Sequence, residues 1–241
     1  MIFFLLPAYN EEPNISAIIK EIKHFFKPEE HQIILINDGS TDKTAQIARD
    51  TDSKIKIISH QINKGLGTAL KTGFDYILGI IAKNDVLITL DADNTHPIEL
   101  SKALIESVKT NNSDIVIASR YCGSGKEIGL KYYRRIYSFL AGLIFSIFFK
   151  YPGLKDYTCG YRAYKGSFLI KLREKYGKNF ITETGFPAGT EILLKSLQLK
   201  PFVTEIPLIL RYDLKRGKSK MKVLKTILSY LKLIFKTKLI N

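Results

Sequence analysis

Two aspartates one residue apart, Asp91 and Asp93, follow the apolar run Val86–Leu90. Two carboxylates on one turn beyond a buried strand can share a divalent cation. Mg²⁺ in particular takes one or two carboxylates together with substrate phosphates and water. An ion held there would neutralise the charge that develops on a departing diphosphate. The same stretch also fits a plain turn, with Asp93 or Thr95 capping a helix that opens at Pro97.

Other runs have the same two-sided character. Asn37-Asp38-Gly39-Ser40-Thr41-Asp42 is a glycine turn and helix cap, or it sets the Asp38 carboxylate against a base or ribose with Ser40 and Thr41 near it. Tyr9 and Glu11 could do the same from Pro7-Ala8-Tyr9-Asn10-Glu11-Glu12. Asn63-Lys64-Gly65-Leu66-Gly67 invites a dinucleotide reading, but Leu70 stands where the fingerprint needs its third glycine, and the run follows a third strand rather than a first. Arg120 closes a fifth apolar run. Arg134 lies fourteen residues on and Ser138 one helical turn further, on the same helix face as Arg134. Two arginines beside a hydroxyl could grip a phosphate, because the guanidinium fork meets phosphate oxygens bidentately. They could equally be surface cations beside an amphipathic helix.

The elements that must position these residues alternate in the first half. Apolar runs at Ile2–Leu6, Gln32–Ile36, Lys54–Ser59, Val86–Leu90 and Asp114–Ala118 predict strands. Helical patterns at Pro13–Phe26, Thr41–Thr51, Gly67–Ala82 and Ile98–Thr110 fall between them. Continuously apolar strands joined by helices predict a mostly parallel sheet covered on both faces, with ligands beyond the carboxyl ends of its strands. The second half predicts helices at Lys131–Lys150, Pro187–Leu199 and Lys218–Lys238 and a strand at Pro201–Leu210. The apolar stretch within 131–150 is shorter than the roughly 20 residues that span a bilayer. Neither a repeat nor a low-complexity linker appears, so the expected organisation is one α/β domain over 1–241, with a nucleotide-binding half (1–120) and an acceptor- and membrane-facing half (121–241).

Thirty-seven Lys and Arg against 23 Asp and Glu give the 241-residue chain a formal charge of +14. Ten of the basic residues lie between Arg211 and Lys238, with Asp213 as the one acid there. That end could face nucleic acid, anionic lipid or a phosphorylated ligand, or be a solvated face. A nucleic-acid module wants basic residues interleaved with aromatic platforms. Here the aromatics fall inside apolar helical faces and the acidic strand ends stay unexplained, so no nucleic-acid partner is expected. A nucleotidyltransferase would want a glycine-rich, basic phosphate loop after the first strand, where Pro7–Glu11 supplies none. Two cysteines without metal-ligand spacing fit a reducing compartment.

The series Pro7–Glu11, Asn37–Asp42, Asn63–Gly67 and Asp91–Asp93 resembles, in order, the motifs of inverting GT-A-type glycosyltransferases of family 2. The chain is most similar to their dolichol-phosphate and polyprenyl-phosphate branch, up to about Met221. The resemblance implies a GT-A fold and metal-dependent transfer of a sugar from a GDP- or UDP-sugar to a polyprenyl phosphate, with inversion, using Mg²⁺ or Mn²⁺. The alternative acceptor is a saccharide or glycolipid hydroxyl. It further implies that Pro7, Tyr9, Glu11, Asp38 and Asp91 hold the nucleoside. Asp93 would hold the metal with the pyrophosphate, joined by Asp91 and Thr95. Arg120, Arg134 and Ser138 would grip the acceptor phosphate, and Asp156–Tyr164 would face the sugar. Lys218 and Lys220 lie in a loop matching one that closes over the pyrophosphate. Leu214 stands where many relatives carry the pyrophosphate arginine, so Arg211, Lys215 or Arg216 is expected to substitute. A lipid phosphate is already anionic and needs no base, leaving Asp93 and Arg120 the electrostatic work. A hydroxyl acceptor needs one, and Glu191 is the candidate. The amphipathic stretches 131–150 and 218–238 suit docking on an anionic membrane, here its cytoplasmic face.

Overall fold

The computed structural model describes residues 1–27, 30–217 and 223–239, without the side chains at 133, 134, 223–225, 238 and 239. The chain runs β1 (Ile2–Ala8), α1 (Ile15–Phe26), β2 (His31–Asn37), α2 (Thr44–Thr51), β3 (Lys56–Ser59), α3 (Leu66–Leu78), β4 (Val86–Thr89), α4 (Leu100–Thr110) and β5 (Ile115–Ser119). It continues through β6 (Lys126–Ile128), α5 (Tyr132–Phe148), β7 (Arg162–Lys165), α6 (Gly166–Tyr176), α7 (Ala188–Leu197), β8 (Val203–Pro207), β9 (Ile209–Arg211) and α8 (Val223–Leu239).

Seven strands form one sheet in the order β3-β2-β1-β4-β7-β5-β8, and β6 pairs with β9 in a second, two-stranded sheet. β1 is apolar throughout because both its faces are covered. Phe4 packs on Phe26 of α1 at 5.0 Å between rings, whereas Leu5, pointing the opposite way, meets Gly73 of α3. α1 itself buries the stripe Ile15, Ile18, Ile19, Ile22 and Phe26, and each such side chain contributes about 1.5–3 kcal/mol of burial.

The first half follows the expected alternation, and the second departs from it. β7 enters between β4 and β5 and runs antiparallel to both, with Arg162 opposite Thr89 and Ile117. The expected strand at 201–210 is two strands. β8 extends the main sheet, Leu208 turns inward with its N–H on the Ser119 carbonyl at 2.8 Å, and β9 joins β6. The predicted halves 1–120 and 121–241 are therefore interleaved, since the second supplies a strand to the middle of the sheet. The carboxyl ends of β1, β2 and β4 lie side by side, and the acidic motifs follow them directly.

Candidate active site

The loops after β1 and β2 are stitched together. Asn10, at φ +50, accepts the Thr41 N–H at 2.8 Å, and its own N–H meets the Ser40 hydroxyl at 3.0 Å. The Thr44 hydroxyl takes the Glu11 N–H at 2.8 Å, and Asp42 takes the Glu12 N–H at 3.1 Å. Ser40 and Thr41, expected near the base or ribose, thus hold the two loops together. Gly39, at φ +68, is required because a Cβ there would lie 2.2 Å from the Ile62 backbone.

Asp38 is buried at the cavity wall. One oxygen faces His60 Nδ1 at 2.6 Å and takes the Lys64 N–H at 2.9 Å; the other takes the Gly65 N–H at 2.8 Å. His60 Nε2 in turn lies 2.9 Å from the Thr72 hydroxyl. This explains Asn63–Gly67 without any dinucleotide. Its amides hold Asp38, and its glycines admit a crossing strand of backbone: a Cβ on Gly67 would lie 2.1 Å from the Glu183 carbonyl, and the Gly67 N–H donates to the Thr184 carbonyl at 2.8 Å.

After β4 the two aspartates face the cavity differently. Asp91 is exposed to its interior yet surrounded by protein, and its N–H donates to His96 Nδ1 at 3.1 Å. Burial, reinforced by Asp93, raises the Asp91 pKa against the pull of His96, Lys215 and Arg120. Burial pushes the Asp93 carboxyl the same way, but the Lys215 ammonium and the Thr95 hydroxyl outweigh it and hold its pKa below the ordinary value. Burial also lowers the His96 pKa against the pull of Asp91 and Asp93, and the ring lies tilted against Tyr161 at 4.9 Å and accepts the Asp91 amide. Thr95 stands behind Asp93, not on the cavity. Its hydroxyl donates to Asp93 Oδ1 at 2.6 Å, so here it orients a carboxylate, a different position from the ligand expected of it. Among the described residues no group of three acids, histidines or cysteines is arranged to hold a metal alone. The pair nevertheless fits a divalent ion that draws its other ligands from a diphosphate and water. Asp93 already binds a cation, the Lys215 ammonium, through Oδ2.

Arg120 is buried and spends its guanidinium inside the protein. It meets Asp156 through Nε at 2.8 Å and Nη2 at 2.7 Å, Thr158 through Nη2 at 2.6 Å, and Glu127 and Ser138 through Nη1 at 2.9 Å each. Burial opposes the Asp156 charge, yet Arg120 keeps its pKa low; burial raises Glu127 more than Arg120 lowers it. A phosphate meeting Arg120 must replace one of these partners. Arg134 lies on α5 with its side chain outside the described part, and Lys218 and Lys220 lie outside the described residues altogether.

Two further expectations are relocated. Glu191 does not line the cavity. Its carboxylate takes the Thr182 N–H at 2.9 Å, the Thr182 hydroxyl at 2.5 Å, the Glu183 N–H at 2.8 Å and the Lys195 ammonium at 2.7 Å. Four donors satisfy the buried charge and hold its pKa down, so Glu191 clamps the loop that crosses Gly67 and turns no free lone pair to a substrate. Arg211 is taken up by Asp213 at 2.7 Å and also stays outside the cavity; of the three basic candidates it is Lys215 that lines it. Sequence reasoning missed His60, His96 and Glu127. Each acts through a partner distant in sequence or through a backbone amide, and no local pattern marks that. Within the segment Asp156–Tyr164, expected to face the sugar, it did not single out Arg162, a fully buried guanidinium on the cavity wall held by the Gly189 and Tyr157 carbonyls and by no acid among the described residues.

The cavity gathers Pro7, Tyr9, Glu11, Asp38, Asp91, Asp93, Arg120, Ser138 and Lys215 around about 460 Å³, the size of a small-ligand site. Thr226 and Tyr230 of α8 and Tyr137 and Ala141 of α5 close its far side. Tyr137, Ala141 and Tyr230 also wall a second, apolar cleft of about 240 Å³ between those helices, completed by Leu140, Ile144, Phe145, Leu231 and Ile234.

The chain is 32% identical to a dolichol-phosphate mannosyltransferase of Pyrococcus furiosus over 96% of its own length and 62% of that relative's, so it spans under two thirds of that protein. It is 31% identical to a polyprenol monophosphomannose synthase of Mycolicibacterium smegmatis, over 85% of this chain and 75% of the relative. An undecaprenyl-phosphate mannosyltransferase of Micrococcus luteus is 28% identical over 90% of this chain and 86% of its own. Glucosyl-3-phosphoglycerate synthase from Mycobacterium tuberculosis, solved with Mn²⁺, UDP and glucosyl-3-phosphoglycerate, superposes with a TM-score of 0.69 over 99% of this chain and 78% of that one, at 17% identity. The α/β architecture is thus the expected GT-A fold. Residues 4–173 match the model of glycosyl transferase family 2, and the chain belongs to that family.

Proposed function

We propose that the protein transfers a hexosyl group, as its relatives' names suggest mannosyl, from a GDP- or UDP-sugar to a polyprenyl phosphate, with inversion. The observation that carries this reading is the adjacency of the two cavities, which share Tyr137, Ala141, Ile227 and Tyr230 as lining. The larger one carries acids and cations suited to a diphosphate, and it shares a wall with an apolar cleft suited to a prenyl chain. The relatives named for polyprenyl-phosphate acceptors support it, and the Mn²⁺ and UDP of the M. tuberculosis enzyme support a divalent metal, Mg²⁺ or Mn²⁺.

Pro7, Tyr9, Glu11 and Asp38 form the nucleoside wall, and Asp38 keeps the loop over the base in place through His60 and the 64–65 amides. Asp91 and Asp93 would hold the metal, which when bound supplies the charge that neutralises the leaving diphosphate. Lys215 stands beside it as a further cation. Arg120 turns its Nη1 edge, now on Glu127 and Ser138, to the acceptor phosphate, with Ser138 and Arg134 from α5. That phosphate oxygen is already anionic, so positioning rather than deprotonation limits its attack. The placement of Glu191 away from the cavity suits an acceptor that needs no base.

Among the described residues no helix is long and apolar enough to cross a membrane. α5 and α8 instead leave Phe139, Ile147, Leu228 and Phe235 exposed, Ile147 and Phe235 by about two thirds. Such faces flanked by Lys and Arg suit peripheral seating on an anionic surface, which we assign to the cytoplasmic leaflet.

The test is release of nucleoside diphosphate from UDP- and GDP-sugars with Mg²⁺ or Mn²⁺, with and without a short polyprenyl phosphate. Release that needs metal and rises with the lipid phosphate is expected, and Asp93→Ala should abolish it while the fold persists. Release only with a saccharide or glycolipid would move the acceptor assignment, and full activity in Asp93→Ala would remove the metal assignment.

A further inference from the structure

From the last residue of β9 to Gly217 the chain carries three basic side chains, Arg211, Lys215 and Arg216, and they have separate fates. Arg211 is spent on Asp213 and remains partly exposed. Arg216 is fixed through its backbone: its N–H donates to Asn14 Oδ1 at 3.3 Å, and its carbonyl accepts Asn14 Nδ2 at 3.0 Å. Asn14 is buried and braced by Glu11 at 2.7 Å, so the backbone beside Lys215 is tied to the start of α1. From that tether Lys215 reaches across to Asp93 Oδ2, its side chain only 17% exposed, with Asp91 and Glu11 also acting on its charge. A compact, strongly hydrated cation on a flexible stem thus occupies Asp93 Oδ2.

We propose that Lys215 is a resident counter-ion for the acid pair: it holds Asp93 while no donor is bound, and it moves onto the donor's diphosphate when a divalent ion takes its place. The inference rests on the metal reading above. It accounts for two features at once. Asp93 is buried and cannot stay charged without a partner, and the arginine expected three residues before Gly217 is Leu214, exposed at 44% and unable to meet phosphate. The exchange keeps the site near neutral in both states, because the metal's charge is matched by the diphosphate that arrives with it. Lys215 has only to rotate its own side chain, since the Asn14–Arg216 bonds hold the backbone next to it.

The consequence is that Lys215 opposes metal alone and favours metal with nucleotide. Mn²⁺ binding, followed by loss of the free-ion electron paramagnetic resonance signal, separates the two without any turnover. Lys215→Met should bind Mn²⁺ alone about tenfold more tightly than wild type, and should bind GDP or UDP in the presence of saturating Mn²⁺ about tenfold more weakly, the scale of one charge-assisted hydrogen bond. Lys215→Arg, which keeps the charge, should stay near wild type for Mn²⁺ alone. Lys215→Gln provides the same neutral comparison if the methionine variant folds poorly. Unchanged or weaker binding of Mn²⁺ alone in a folded neutral variant would overturn the counter-ion role. Wild-type protein that takes up no Mn²⁺ with either nucleotide would instead overturn the metal reading, and this inference with it.

Discussion

Arg120 and Asp156 show how much of the site's chemistry is spent on holding itself together. Asp156 is fully buried, meets the guanidinium along one edge, and takes the Cys159 N–H at 3.0 Å. Removing one partner of a buried pair leaves the other charge stranded. Asp156→Asn should therefore cost about 3 kcal/mol of unfolding free energy, measured by urea denaturation at neutral pH. The folded-state pKa of Asp156 is depressed, so its contribution is present above the unfolded value near 3.9 and disappears as pH falls through the folded one. The difference between wild type and variant should then shrink only in strong acid; a constant gap down to the acid transition would sink the assignment. Glu191 gives the complementary case. A general base replaced by its amide loses about 10²–10⁴ in rate. As a loop clamp, Glu191→Gln should keep kcat within about tenfold and lose thermal stability instead, because the amide trades acceptor positions for donors where four donors already converge.

At the scale of elements, Gly65 and Gly67 at the start of α3 and the loop at 182–184 form one joint. Gly67→Ala would press a methyl group into the Glu183 carbonyl, which is backbone and cannot rotate away. Overpacking of this kind costs about 1–3 kcal/mol, and the displaced loop should weaken nucleotide binding, measured by calorimetry with GDP or UDP and a divalent ion. The motifs at the ends of β1, β2 and β4 were legible because each is a contiguous polar run closing a contiguous apolar one, and a parallel sheet brings such ends together. β7 was not. Arg162–Lys165 is four residues long with no apolar alternation, and its neighbours β4 and β5 are chosen by long-range topology. Likewise 201–210 reads as one strand because nothing local marks Leu208 as the residue that leaves one sheet for the other. The roles of Thr95, Arg211 and Glu191 were displaced for a related reason. A residue type at the right spacing specifies a chemistry, but which neighbour consumes it depends on contacts such as Asp213 or the 182–183 amides.

For the molecule as a whole, the exposed apolar faces of α5 and α8 and the basic side chains near them predict partition onto anionic vesicles. Replacing Phe139 and Phe235 together with serine should abolish flotation with phosphatidylglycerol-containing liposomes. Binding of nucleoside diphosphate in solution should persist, since neither side chain lines the cavity. Protein that never floats, even before substitution, would remove the membrane assignment.

The antiparallel entry of β7 also has a consequence in time. On a ribosome the chain emerges from its amino end, and strands pair only with what has already left the tunnel. By residue 119 five strands are out, yet β5 has no partner among them: its neighbours are β7 and β8, both still to come. β1 to β4 can assemble as a four-stranded leaf, and the acids of the first two loops can find their amides. Arg120 cannot be satisfied until Asp156 appears, and the leaf cannot join β5 until Arg162–Lys165 slides between them. Synthesis thus passes through a stage in which the Asp38 side of the cavity exists and the Arg120–Asp156 side does not. The sheet is sealed by a strand that arrives about forty residues late.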